Sequence, residues 1–207
     1  MERVKIGVID IGLGNVNSVV RGLRSLKADV ALVKTPADLS AVDKIIFPGV
    51  GNFGEAATKI ASLGFRDSIR DEVLKNEKPI LGICLGMHLL GTGSEEGSGD
   101  GLGFLPCPVK KLDVDEQKLA LPHIGWNDVS HSSMEMFAGI PSETSFYFVH
   151  TYGIAPEVED CQIATCTYGA DFAAAVQYGR VWGAQFHPEK SQEAGMKLLQ
   201  NFINHSS

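Results

Sequence analysis

Acyl transfer by a cysteine needs a nucleophile, a base with an orienting partner, and hydrogen-bond donors for the oxyanion. The stretch Gly82-Ile83-Cys84-Leu85-Gly86 follows the apolar run Pro79 to Ile83 and then turns helical. A sharp strand-to-helix turn would expose the sulfur at the carboxyl edge of a sheet. Glycines on either side are needed so that neighbouring atoms do not collide, and the pattern has the form of a nucleophile elbow with cysteine in place of serine. The helix N-terminus beyond Cys84 favours thiolate over thiol, and its N–H groups, Leu85 first, point where an oxyanion would form. A small buried hydrophobe is the commonest fate of a free cysteine, and G-x-C-x-G alone does not decide between the two readings.

His187-Pro188-Glu189 supplies a base and a partner for it. It ends a strand and precedes the last helix, and residues two apart in an extended segment can share a side. An isolated H-P-E is most often a surface turn; paired with an elbow, and at a strand end, the catalytic reading becomes the better one. Pro48-Gly49-Val50-Gly51 also follows a strand, so its backbone should reach the same edge and could donate a second N–H to an oxyanion. Gly12-Leu13-Gly14 lacks the third glycine of a dinucleotide fingerprint and the Lys-Ser/Thr of a phosphate loop, so no cofactor is expected. His88 lies four residues after Cys84, but no further ligands have zinc-like spacing, and no metal is expected. It can face the crevice instead, while His123, His131 and His205 read as ordinary surface or satisfied histidines.

The elements that must position these groups are legible from periodicity. Val4 to Ile9, Ala28 to Val33, Lys44 to Phe47 and Pro79 to Ile83 read as strands. Between them lie a helix capped by Asn15 or Asn17 with Val16, Val19, Val20, Leu23 and Leu26 on one face, a turn opened by Thr35-Pro36, and a helix from 55 to 74 interrupted near Gly64. Strands alternating with helices predict an α/β class, a parallel sheet wound with helices on both faces. The six glycines of 91–103 read as a mobile exposed loop. Short β-rich pieces follow at 109–114, 145–149, 162–166, 172–177 and 180–186, and Ser191 should cap a final helix with Met196, Leu199, Phe202 and Ile203 inward.

A chain of 207 residues fits one domain, 1–207, able to bury roughly 70% of its unfolded surface. Its net charge of −7 and the absence of any basic cluster longer than Lys110-Lys111 argue against nucleic acid. Four cysteines at 84, 107, 161 and 166 form no CxxC pair and no disulfide framework, which fits the reducing cytosol. There is no signal-peptide pattern at the N-terminus and no apolar run near the ~18 residues that span a bilayer, so a cytoplasmic, membrane-free protein is expected.

The three spaced motifs around Cys84, Gly49 and His187 resemble those of class I glutamine amidotransferases, and the resemblance covers essentially the whole chain. The finer similarity is to the glutaminase subunits of imidazole glycerol phosphate synthases, through Asp10 to Asn15, Gly49 to Phe53, Gly125-Trp126-Asn127 and Tyr147 to Tyr152. The resemblance implies a single-domain, flavodoxin-like wound sheet with a β-rich C-terminal half. It implies glutamine hydrolysis, with ammonia channelled to a separate (β/α)8 cyclase subunit in histidine biosynthesis. In that scheme Cys84 attacks, His187 shuttles the proton and Glu189 orients it. Leu85 N–H, with an N–H from the Val50-Gly51 peptide, holds the oxyanion. Gly49, His88, Thr151 and Tyr152 would lie near the substrate, and Asn15, Trp126 and Tyr147 near the partner. The sequence departs from the family at His88, normally glutamine, where a histidine could still donate to a carboxylate. Ammonia donation to a paralogous sugar-modifying synthase and a free-standing cysteine amidohydrolase are the alternatives.

Overall fold

The structure, a computed structural model, describes residues 4–115 and 117–205. Strand β1 (Lys5–Ile9) leads to helix α1 (Val16–Ser25), then β2 (Asp29–Val33), β3 (Lys44–Gly49), α2 (Phe53–Ser62), α3 (Phe65–Leu74), β4 (Ile80–Cys84) and α4 (Leu85–Leu90). The second half contains β5 (Val109–Lys111), β6 (His123–Val129), β7 (Thr144–His150), β8 (Tyr152–Ile154), β9 (Gln162–Tyr168), β10 (Ala170–Tyr178), β11 (Val181–Ala184) and α5 (Gln192–Asn204). Seven strands form the main sheet in the order β2-β1-β3-β4-β11-β10-β9. The first five run parallel, and β10 and β9 continue antiparallel. The wound parallel sheet and the β-rich second half expected from the sequence are both present.

The sequence pattern explains the layering. Every residue of β3 and β4 is buried, as required of central strands covered on both faces. On one face, α2, α3 and α4 pack with Phe53, Ile60, Phe65, Ile69 and Leu90 in one core. On the other, Val19 and Leu23 of α1 meet Leu198, Leu199 and Phe202 of α5 in a second. Each of these fully buried side chains stabilises the fold by about 1.5–3 kcal/mol relative to exposure. Gly64, at φ +74°, separates α2 from α3 where the sequence pattern was interrupted.

Other local expectations shift. Thr35 and Asp38 do form a capping box. Asn15 and Ser191 occupy N-cap positions, yet neither side chain caps its helix. Ser191 instead donates to His187 O at 2.7 Å and accepts from Tyr147 N at 3.0 Å. The inner face of α5 is Gly195, Leu198, Leu199 and Phe202, with Met196 and Ile203 only partly buried. The 91–103 stretch is anchored rather than loose. Thr92 N bonds Cys107 O, Glu95 N bonds Val109 O, and Glu96 Oε2 accepts from Phe53 N at the start of α2, at 3.0, 3.0 and 2.9 Å.

Strand β6 has no counterpart in the sequence reading. Its outward residues Ile124, Trp126 and Asp128 alternate with a glycine and an asparagine, a pattern that carries little strand signal, and pairing with β7 builds it. At the first position of β3, buried Lys44 donates to Phe202, Ile203 and His205 carbonyls at 2.9, 2.8 and 2.6 Å, tying the end of α5 to β3.

Candidate active site

Register brings the three motifs to one edge. Gly49 pairs with Cys84 across β3 and β4, and Ala184 pairs with Ile83 across β11 and β4. Parallel neighbours end together, so the 48–51 loop, Cys84 and the segment after β11 emerge at the same carboxyl edge.

Cys84 itself is the turn. It adopts φ 53° and ψ −111°, a backbone conformation that side chains rarely occupy and that strained nucleophile turns do. The flanking glycines are steric necessities. A Cβ on Gly82 would come within 2.6 Å of the Gly86 carbonyl, and one on Gly86 would overlap Phe47 O. Helix α4 starts at Leu85, whose amide is the first after the sulfur.

His187 follows β11 and is held by its own N–H to Tyr147 O at 2.9 Å and by Ser191 Oγ on its carbonyl. Its Nδ1 meets Glu189 Oε1 at 2.9 Å, and the Glu189 side chain is 1% exposed. The other ring nitrogen is left for Cys84. Burial alone would lower the His187 pKa, but hydrogen bonding and charge from Cys84 and Glu189 outweigh it and push it up to about 9. The ring is therefore an imidazolium at neutral pH, ready to give up a proton.

A cleft of about 270 Å³ opens over the sulfur. That size suits an amino acid rather than a length of peptide. Val50, Gly51, Leu85, His88, Thr151 and Tyr152 line it together with Cys84 and His187, so the structure gathers most residues singled out from sequence. Gly49 sits directly against Gly86 behind the cleft. The Val50 amide donates to Leu13 O at 2.9 Å, so Gly51 rather than Val50 is the loop's candidate oxyanion donor, at φ +108°. Here Gly12-Leu13-Gly14 acquires a role: its Leu13 carbonyl braces the 48–51 loop. Asn15 is exposed at the start of α1 on the same sheet edge. Trp126, 48% exposed, makes a T-shaped contact with Tyr147 at 6.0 Å, and Lys190 lies 5.6 Å over the Tyr147 ring.

Residues 7–206 match the profile described as glutamine amidotransferase class-I. The chain belongs to that family. This amidotransferase is 42% identical over 200 residues to a protein named imidazole glycerol phosphate synthase subunit HisH 1 from Campylobacter jejuni (strain RM1221), covering 96% of this chain and 98% of the relative. It is 40% identical over 202 residues to a HisH subunit of the same synthase from Leptospira borgpetersenii, covering 96% and 99%. Among solved structures, PurLQS from Thermotoga maritima superposes with a TM-score of 0.75 at 18% identity over 98% of this chain and 99% of that one, which supports the fold alone.

Among the residues of the amidotransferase site not singled out from sequence, Glu96, His150 and Gln185 bear on its chemistry. Glu96 lines the cleft, its carboxylate braced at the N-terminus of α2. His150 also lines it, with Nδ1 2.8 Å from Tyr152 O and Nε2 3.0 Å from His123 Nδ1. Burial lowers both pKa values, to about 3 for His150 and about 4 for His123, so this pair is neutral, with His123 donating to His150. Gln185 is fully buried two residues before His187. The acidic Glu95-Glu96 pair was visible in the sequence, but only the folding back of 91–103 turns Glu96 inward. His88 also departs from expectation. Burial drops its pKa to about 4 against weaker support from Gln185 and the Tyr152 carbonyl, and its Nε2 pairs with Gln185 Oε1 at 2.8 Å. A neutral ring whose N–H is used there has no donor left for the cleft. Among the described residues no cluster of His, Cys, Asp or Glu could hold a metal, and no helix is long and apolar enough to cross a membrane.

Proposed function

We propose that this chain is the glutaminase subunit of an imidazole glycerol phosphate synthase, hydrolysing glutamine and passing ammonia to a (β/α)8 cyclase subunit in histidine biosynthesis. The observation that carries the chemistry is Cys84 at a strained elbow, facing a buried His187–Glu189 pair across one cleft. The HisH names of the relatives carry the destination of the ammonia.

In this reading the Cys84 thiolate attacks the carboxamide carbon of glutamine, and the oxyanion is held by the Leu85 and Gly51 amides. The C–N bond then breaks as the His187 imidazolium protonates the departing nitrogen, leaving a thioester and neutral ammonia. Water adds to the thioester with its proton taken by His187, and expulsion of the thiolate releases glutamate. Glu189 holds Nδ1 and keeps the ring aimed at the sulfur. Glu96 is the anionic wall suited to the α-ammonium group, and Thr151 and Tyr152 bound the α-carbon end with His88. Asn15, Trp126 and Tyr147 form part of the face that meets the cyclase. The Tyr147 main chain holds His187 and Ser191, so contact there would reach the base directly.

The test is to mix the chain with a cyclase subunit and assay glutamate release and imidazole glycerol phosphate formation. Strong stimulation and coupled product are expected. Equal glutaminase activity with and without the partner, or hydrolysis of unrelated amides by the chain alone, would favour a free-standing hydrolase. Coupling only to a sugar-modifying synthase would redirect the pathway while keeping the chemistry.

A further inference from the structure

Gln185 lies between the end of β11 and His187 and is 0% exposed, a costly position for a carboxamide unless its polar atoms are used. Its N–H donates to Ala174 O at 2.8 Å, which pins the main chain. The side chain bridges two functional groups. Oε1 is 2.8 Å from His88 Nε2 on α4, and Nε2 is 4.0 Å from Cys84 Sγ.

The two ends of a carboxamide differ in hydrogen-bonding role, so its neighbours set its orientation. His88 does so here. Its buried neutral ring carries one N–H, and although the Tyr152 carbonyl lies near the ring, that oxygen accepts from His150 Nδ1 at 2.8 Å and His88 Nδ1 makes no hydrogen bond among the described residues. The proton belongs on Nε2, the nitrogen that has an acceptor. Nε2–H then donates to Oε1, and the NH2 end of Gln185 turns toward the sulfur. The sulfur thus has two unlike neighbours. Val149 O, 3.7 Å away, accepts from the thiol S–H, whereas the Gln185 amide can only donate, and a donor counts most against an anion.

We propose that Gln185, oriented by His88, donates to the Cys84 thiolate and holds the sulfur at the base of the cleft, making the two residues a positioning pair for the nucleophile. The inference rests on the reading of Cys84 as the attacking group in glutamine hydrolysis. The titratable groups around the sulfur are His187 and Glu189 after β11, His150 at the end of β7, Tyr152 on β8, His88 on α4, and Glu96 and Lys190 on the cleft wall. The Gln185 side chain contacts His88 and Cys84 and is not part of the His187–Glu189 hydrogen bond.

The test is iodoacetamide alkylation of Cys84 across pH on the intact chain without glutamine, read by peptide mass spectrometry that separates it from Cys107, Cys161 and Cys166. Gln185→Leu should move the midpoint of the alkylation curve upward by about one pH unit, the scale of a hydrogen bond to a charged group. Gln185→Glu, close in shape and still an acceptor for His88, should move it the same way and serves if the leucine variant does not fold. His88→Leu should shift it part of the way. His88→Gln, whose amide can still donate to Oε1, should stay near the parent curve. In glutamine hydrolysis Gln185→Leu should lower kcat with KM little changed. An unmoved midpoint in folded Gln185 variants overturns the proposal, as does a shift in His88→Gln equal to that in His88→Leu. If the midpoints shift but glutamine is not hydrolysed, the substrate assignment fails and the positioning pair stands. If glutamine is hydrolysed and the midpoints do not move, the reverse holds.

Discussion

In the proposed mechanism Cys84, His187 and Glu189 divide the work of one proton and one bond, and each can be removed separately. Cys84→Ala should lower glutamine-driven turnover of the complex by on the order of 10⁴-fold or more, since no other group can form the thioester. Turnover driven by added ammonium salts should persist, because ammonia then reaches the partner without this cleft; loss of both in an intact complex would contradict the division of labour. Glu189→Gln should cost about 10²–10⁴-fold in kcat by leaving His187 without its anionic partner. The pH dependence has a definite sign. His187 is raised from 6.5 to about 9, so its acid form persists at neutral pH and is lost as pH rises through about 9. A kcat–pH profile should show its alkaline limb there, and Glu189→Gln should move that limb to lower pH. The same shift stabilises the fold fully below pH 6.5 and ceases to do so as pH passes about 9. The proposed triad was readable in sequence because motif spacing records which types are present. The protonation of His187 was not, since it depends on burial and on Cys84 and Glu189 meeting one ring.

At the scale of elements, the elbow is the part most tightly specified. Gly86→Ala places a methyl where Phe47 O already sits; Phe47 lies in the central strand β3, and Gly86 is in the first turn of α4 directly after the central strand β4, so neither can yield. Urea unfolding should show a loss of about 3 kcal/mol or more for a folded variant, larger than an ordinary overpacking mutation. Gly51→Ala has open space around the new atom but φ +108°, so it should cost activity more than stability by disturbing the loop proposed to hold the oxyanion; a stability loss as large as that of Gly86→Ala would argue against this. The strands β1 to β4 were legible because they are apolar throughout and bounded by turn residues. Strand β6 and the anchored 91–103 loop were not: partner strands and distant backbone atoms satisfy their hydrogen bonds, and those partners lie far away in the chain.

Across the whole molecule, several buried histidines tie stability to pH in the opposite sense from His187. In the unfolded chain each takes up a proton below pH 6.5, whereas in the fold His88 stays neutral to about 4 and His150 to about 3. Their stabilising contribution is present above 6.5 and lost as pH falls toward those values. Each gives a slope of up to about 1.4 kcal/mol per pH unit over that window. The urea midpoint should therefore drop between pH 6.5 and 5, and His150→Asn should flatten the drop; a midpoint constant over this range would show that these rings are not held neutral.

The sequence alone determined the wound α/β architecture, the family, and the candidates proposed as nucleophile, base and orienter. Apolar periodicity and motif spacing are local properties, and they survive being read one segment at a time. Only the tertiary structure decided that Val50 N–H is taken by Leu13 O, that Glu96 turns into the cleft, and that His88 and Gln185 meet beside Cys84. Those contacts join residues from different loops and strand ends, and they are set by register across the sheet and by where a buried polar atom can find a partner.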